Sequence, residues 1–181
     1  MSKSFQSFEY AIKDAEELLA HFDTLNGNPP PANAEVLKRA GLVMALTAWE
    51  TYVEDRLTEE MNKRLGLVAG SYVGDFILKK LRQDLKQFNN PKPDNTRRLF
   101  QEYLGLDVTE GWTWANFDPD KAKTALNNLI SKRCEAVHRS RQAPNGTPAA
   151  HLVKRDELVK AIRFIKDLVS ATDAFIDKKL E

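Results

Sequence analysis

Apolar side chains recur along this chain at steps of three and four, the period of a helix lying against a core. The pattern is clearest where Leu42, Leu46, Trp49, Val53 and Leu57 follow one another at steps of four, three, four and four. It predicts a long amphipathic helix opening near Asn33, a residue suited to capping. Phe8, Ile12, Leu18 or Leu19, and Phe22 define a first helix over about residues 4–24. Leu158, Ile162, Ile165, Leu168 or Val169, Thr172 and Phe175 define a last one over about residues 155–179. Shorter helices are predicted over about 75–88 and from about Asp94, the second carrying Leu99, Phe100, Tyr103 and Leu104. Asp118-Pro119-Asp120 pairs a capping residue with proline at the first helical position, and opens a fifth helix that runs to about His138. Glycine and proline gather between these segments, and no alternating strand pattern is present. Tyr72-Val73 and the aromatic run from Trp112 to Phe117 read as short apolar pieces within loops. The predicted fold is all-α, a bundle of five to six helices in one domain over residues 1–181, with the long helices at its centre.

Composition narrows the function. Lysine and arginine number 27 against 26 acidic residues, a net charge of +1, so any contact with nucleic acid must come from a local patch. Hydrophobic residues make up 42%, too many for a disordered chain. Cys134 is the single cysteine, which excludes an internal disulfide and a multi-cysteine zinc site. No apolar run approaches the ~18 residues of a membrane span, and no secretory signal is visible. A cytoplasmic location is expected, with no membrane association.

The fifth helix carries an anomaly. With about 100° per residue and Leu126 as zero, Leu129, Ile130 and Val137 fall within about 60° of it and define the core-facing stripe. Arg133 falls at about −20°, in the middle of that stripe. A charge there must snorkel outward, pair with a carboxylate, or line a cleft. His138 follows five residues later near the helix end. Between Ser131 and Arg141 the basic residues Lys132, Arg133, Arg139 and Arg141 stand against Glu135, a local charge of +3.

Such a pairing suits cleavage of RNA without a metal or other cofactor. Histidine moves its proton near neutral pH, with an ordinary pKa of about 6.5. It can take the proton of a 2′-hydroxyl or supply one to the leaving 5′-oxygen, typically worth ~10²–10⁴ in rate. Arginine can hold the scissile phosphate with two hydrogen bonds and stabilise the charge that builds on it. Lys132, Arg139 and Arg141 would attract the polyanion. The plainer account is a solvated helix end, where basic residues also favour the helix dipole.

Four segments in a fixed order add to this. They are Ala45-Leu46-Thr47-Ala48-Trp49-Glu50-Thr51-Tyr52-Val53-Glu54; Phe88-Asn89-Asn90-Pro91 ahead of Leu99-Phe100-Gln101-Glu102-Tyr103-Leu104-Gly105-Leu106; Leu129-Ile130-Ser131-Lys132-Arg133-Cys134-Glu135-Ala136-Val137-His138; and Leu158-Val159-Lys160-Ala161-Ile162-Arg163-Phe164-Ile165. Together they resemble the HEPN superfamily, in particular its RiboL-PSP-HEPN branch, from about residue 33 to the end. The resemblance implies an HEPN-like helical bundle that forms a homodimer through its motif-bearing helices. It also implies metal-independent endoribonuclease activity, often in toxin, phage-defence or RNA-processing systems, where an antitoxin or other partner protein can be present. The family's motif arginine falls on Arg133 and its motif histidine on His138. Cys134 stands where the family usually has a polar residue, often asparagine, and Arg139 where glycine often follows the histidine. Some members are non-catalytic modules that bind a nucleotide, RNA or a partner protein, so that reading stands beside the enzyme.

The remaining candidates have plainer roles. Trp49 is expected in the core, and Glu50 as a partner that accounts for Arg133 by an ion pair across the bundle. Cys134 is expected to be a small packing residue. Trp112, Trp114 and Phe117 offer faces for stacking bases, but are expected to tuck onto the bundle. His21 and His151 have no metal-ligand spacing. Asn145-Gly146 is expected to form a turn beside the candidate site.

Overall fold

The structure is a computed structural model, which describes residues 1–25, 27, 31, 34–138 and 152–180. Six α-helices follow in order among them: α1 (Lys3–Thr24), α2 (Glu35–Arg64), α3 (Tyr72–Lys86), α4 (Pro93–Leu104), α5 (Pro119–His138) and α6 (Arg155–Leu180). Two 3-10 turns, Gly66–Val68 and Val108–Gly111, precede α3 and α5. No strand occurs among the described residues. The all-α bundle is the fold that the apolar periodicity predicts.

The axis of the molecule is α2. Leu42, Leu46, Trp49, Val53 and Leu57 are buried, as their spacing requires, and α1, α5 and α6 pack around them. Phe8, Ile12 and Ala15 come from α1, Leu126 and Ile130 from α5, and Leu158, Ile165, Leu168 and Val169 from α6. On α6 the stripe differs at its end. Ile176 rather than Phe175 is fully buried, and Phe175 covers Gly111, where a Cβ would stand 2.4 Å from the ring.

Caps fix where the helices begin. Ser2 Oγ accepts from the Phe5 amide at 3.0 Å, and Asp118 Oδ1 from the Lys121 amide at 2.8 Å. α4 opens on Pro93 and closes on Gly105, whose φ of 71° suits a residue without a side chain. Asn33, the expected start of α2, lies outside the described residues, and Ala34 precedes the helix. Tyr72-Val73 corrects the sequence reading: the pair is not loop but the first turn of α3, capped by Ser71 Oγ on the Gly74 amide at 3.1 Å.

The aromatic run before α5 folds inward. Trp112 is buried, donates from Nε1 to Thr172 Oγ1 at 3.0 Å, and meets Trp49 edge to face. Trp114 stacks on Phe117 with ring centroids 4.9 Å apart, and both rest on Phe164 of α6. This is the packing role expected for them.

Candidate functional site

The buried stripe of α5 runs through Ala122, Leu126 and Ile130 in steps of four. The next position on that face is Arg133, so the helix delivers a guanidinium where an apolar residue would continue the core. It lies across α2. Nη1 donates to Glu50 Oε2 at 3.1 Å, and Nη2 to the carbonyl oxygen of Asn89 at 3.3 Å. The two side chains are 16% and 21% exposed, so the pair is shielded from water yet open on one side. Three of the five guanidinium N–H donors have no protein partner among the described residues.

Both partners are held in place. Glu50 follows the buried Trp49 on α2, and Trp49 Nε1 donates to the Pro91 carbonyl at 3.1 Å. Asn95 Nδ2 donates to the Asn90 carbonyl at 2.8 Å, which fixes the α3–α4 connection that carries Asn89. Arg39 of α2 donates from Nη1 to the Ala136 carbonyl at 3.3 Å, placing a cation at the last turn of α5. The ion pair that the sequence suggested for Glu50 and Arg133 is therefore formed.

A carboxyl that the sequence reading passed over stands beside it. Glu54 is one helical turn beyond Glu50, on the same face of α2. Burial, then the neighbouring charges of Glu50 and Asp55, push its carboxyl up to about 7. It therefore exchanges its proton near neutrality, a property that concentrates at functional sites. The spacing of Glu50 and Glu54 was the signal in the sequence that could have found it.

The other expected site residues divide. Lys132 reaches α6 and pairs with Glu157 Oε2 at 2.7 Å, so its charge is engaged within the chain. Cys134 is exposed and not packed in the core. His138 closes α5, but its side chain lies outside what the structure describes, as do Arg139, Arg141, His151 and the expected turn at Asn145-Gly146. Val137, assigned to the core stripe from the wheel, is 59% exposed. Near this end of α5, Arg133 and the Ala136 carbonyl make hydrogen bonds to α2. His21 is exposed on α1.

The helices in this order, with the arginine of α5 set against the glutamate of α2, can be compared with known families. The model of the RiboL-PSP-HEPN family matches residues 10–178. The chain belongs to the RiboL-PSP-HEPN family. No curated protein and no solved structure gives a significant match. RiboL-PSP-HEPN is an HEPN-type family, and HEPN-type domains are often ribonucleases, commonly dimerise and act on RNA. In this RiboL-PSP-HEPN chain no helix among the described residues is long and apolar enough to cross a membrane.

Proposed function

We propose that this RiboL-PSP-HEPN chain is a metal-independent endoribonuclease in which Arg133 holds the scissile phosphate and His138 moves the proton. The observation that carries the reading is the half-buried guanidinium of Arg133, with donors to spare, five residues ahead of the histidine that ends the same helix. Glu50 and the Asn89 carbonyl act as positioning groups: they fix one edge of the fork and leave the rest for phosphate oxygens. His138 takes the proton of the substrate's 2′-hydroxyl, the oxygen attacks phosphorus, and the imidazolium so formed gives a proton to the 5′-oxygen as its bond to phosphorus breaks. Arg133 stabilises the added negative charge. The products are a 2′,3′-cyclic phosphate and a free 5′-hydroxyl. Lys132, Arg139 and Arg141 draw in the RNA, with Lys132 exchanging Glu157 for phosphate.

The chain acts as a single domain in the cytoplasm, as a homodimer whose motif-bearing helices face one another, in a toxin or phage-defence setting. The family's ribonucleases and common dimers support this reading. A second reading is favoured by the engagement of Arg133 with Glu50 and of Lys132 with Glu157. Both cations are paired with a carboxylate within the chain, as in a non-catalytic module that binds RNA, a nucleotide or a partner protein.

Incubation with a structured RNA in EDTA separates the two. The enzyme cuts it to ends bearing 2′,3′-cyclic phosphate, and His138→Ala abolishes cutting at unchanged helicity. A broad RNA panel left intact by the wild type, or an alanine variant that cuts equally well, sinks the enzyme.

A further inference from the structure

The helix α3 has an unusual outer face. Its inner face is regular: Gly74, Ile77, Leu81 and Leu85 turn toward the bundle, with Gly74 and Leu81 buried. About 180° away, Tyr72, Phe76, Lys79, Gln83 and Lys86 follow one another at steps of three and four, and all are exposed. Tyr72 is 85% and Phe76 60% exposed, which the packing of α3 does not require. Lys79 and Lys86 form no ion pair among the described residues, whereas Lys80, on the flank, is held by Asp84 and Glu102. From Lys63 to Lys86, six basic residues stand against two acidic ones, a net of +4 in a chain whose total is +1.

The geometry points to this row as a track for single-stranded RNA that leads to Arg133, an inference that rests on the RNA-directed reading above and extends it to where the strand lies. Tyr72 and Phe76, one helical turn apart, offer faces on which unpaired bases stack whatever their identity. Lys79 and Lys86 then meet the phosphates, as free cations do on such surfaces. The row is about 21 Å long. It ends three residues before Asn89, whose carbonyl receives Arg133. A strand lying on α3 with its backbone toward Lys86 is thus directed at the candidate site. A second copy is a poorer occupant, because a two-fold contact centred on this row sets Lys79 of one copy against Lys79 of the other. An anionic membrane would satisfy the charge, but not the direction of the row toward Arg133.

The test is fluorescence anisotropy of the full chain with a 5′-labelled, 2′-O-methyl oligouridine, which binds but has no free 2′-hydroxyl to attack. Tyr72→Ala with Phe76→Ala is expected to weaken binding at least about tenfold, while Tyr72→Trp with Phe76→Trp retains it. Lys79→Gln with Lys86→Gln is expected to flatten the slope of log affinity against log salt by about 1.4, at roughly 0.7 per phosphate contact on a single strand. Equal binding by the wild type and the double alanine variant overturns the track, as does no binding by the wild type at low salt. It is also overturned if the variants change only the oligomeric mass in light scattering, or only sedimentation with phosphatidylserine vesicles. The probe separates this inference from catalysis. If natural RNA is never cut but the α3 variants lose the oligonucleotide, the track stands and the nuclease falls. If RNA is cut and the α3 variants cut and bind like the wild type, the nuclease stands and the track falls.

Discussion

Arg56 has no accessible surface, and three carboxylates surround it. Its Nε lies 3.1 Å from Asp173 Oδ1, and its two terminal nitrogens pair with Glu60 and Asp177. Tyr52 donates to the same Asp173 oxygen at 3.2 Å, and burial followed by that charge raises its phenol well above the usual range. Removing the cation would leave buried carboxylates facing one another, so Arg56→Ala should cost about 3–5 kcal/mol in urea unfolding. The half-open Arg133 pair is worth less: Glu50→Ala should cost more than the ~0.5 kcal/mol of an ordinary surface change but less than Arg56→Ala. An unchanged unfolding midpoint would show that the pair contributes nothing. The same helical wheel finds both arginines. Arg56 falls at about −20° from Trp49, the offset at which Arg133 stands from Leu126. The sequence reading treated α5 as the one anomalous helix, yet α2 holds the more deeply buried case. The positions were legible. Glu50 was legible as the partner of Arg133, but the other partners were not, because Asp173 and Asp177 arrive from the far end of the chain and Asn89 contributes only a backbone carbonyl.

At the level of elements, α1 begins on a carboxylate supplied by α2. Glu59 accepts the Lys3 amide at 3.3 Å, the Ser4 amide at 3.0 Å and the Ser4 hydroxyl at 2.5 Å. Partial burial pushes its carboxyl upward. The bonds from Ser4, Lys63 and Lys3 outweigh that and hold it down at about 2, against 4.5 when free. A depressed carboxyl stabilises the fold above pH 4.5 and loses that contribution as pH falls through about 2. Glu59→Gln should therefore melt below the wild type at pH 6, with the gap closing toward pH 2 in a series of thermal melts. A gap that is constant with pH would refute the assignment. The start of α3 depends on a close approach. A Cβ on Gly74 would stand 2.4 Å from the Val68 carbonyl oxygen, so Gly74→Ala should lower helicity and melting temperature by displacing the 3-10 turn. Five helix starts were legible within about two residues. α3 was read as starting late because its first turn shows aromatics to solvent and conceals the amphipathic period.

For the molecule as a whole, Glu54 sets a pH dependence of the opposite sense. Its carboxyl is raised from 4.5 to about 7 on folding, so its contribution is fully present below pH 4.5 and is lost as pH rises through about 7. Glu54→Gln keeps the neutral form throughout. It should melt above the wild type at pH 8 and level with it at pH 4.5, and a difference that does not depend on pH would contradict the raised carboxyl. The bundle itself was legible, since the period of α2 already implies partners on several sides. How α5 meets the α3–α4 connection was not, because that contact uses a backbone carbonyl at a single position and leaves no repeating pattern. That connection also carries an optical consequence. Trp49 donates its indole N–H to Pro91, two residues from the carbonyl that receives Arg133. If a ligand that draws the guanidinium away from Asn89 shifts this connection, the emission of Trp49 should change against that of Trp112 and Trp114, a label-free gauge of occupancy.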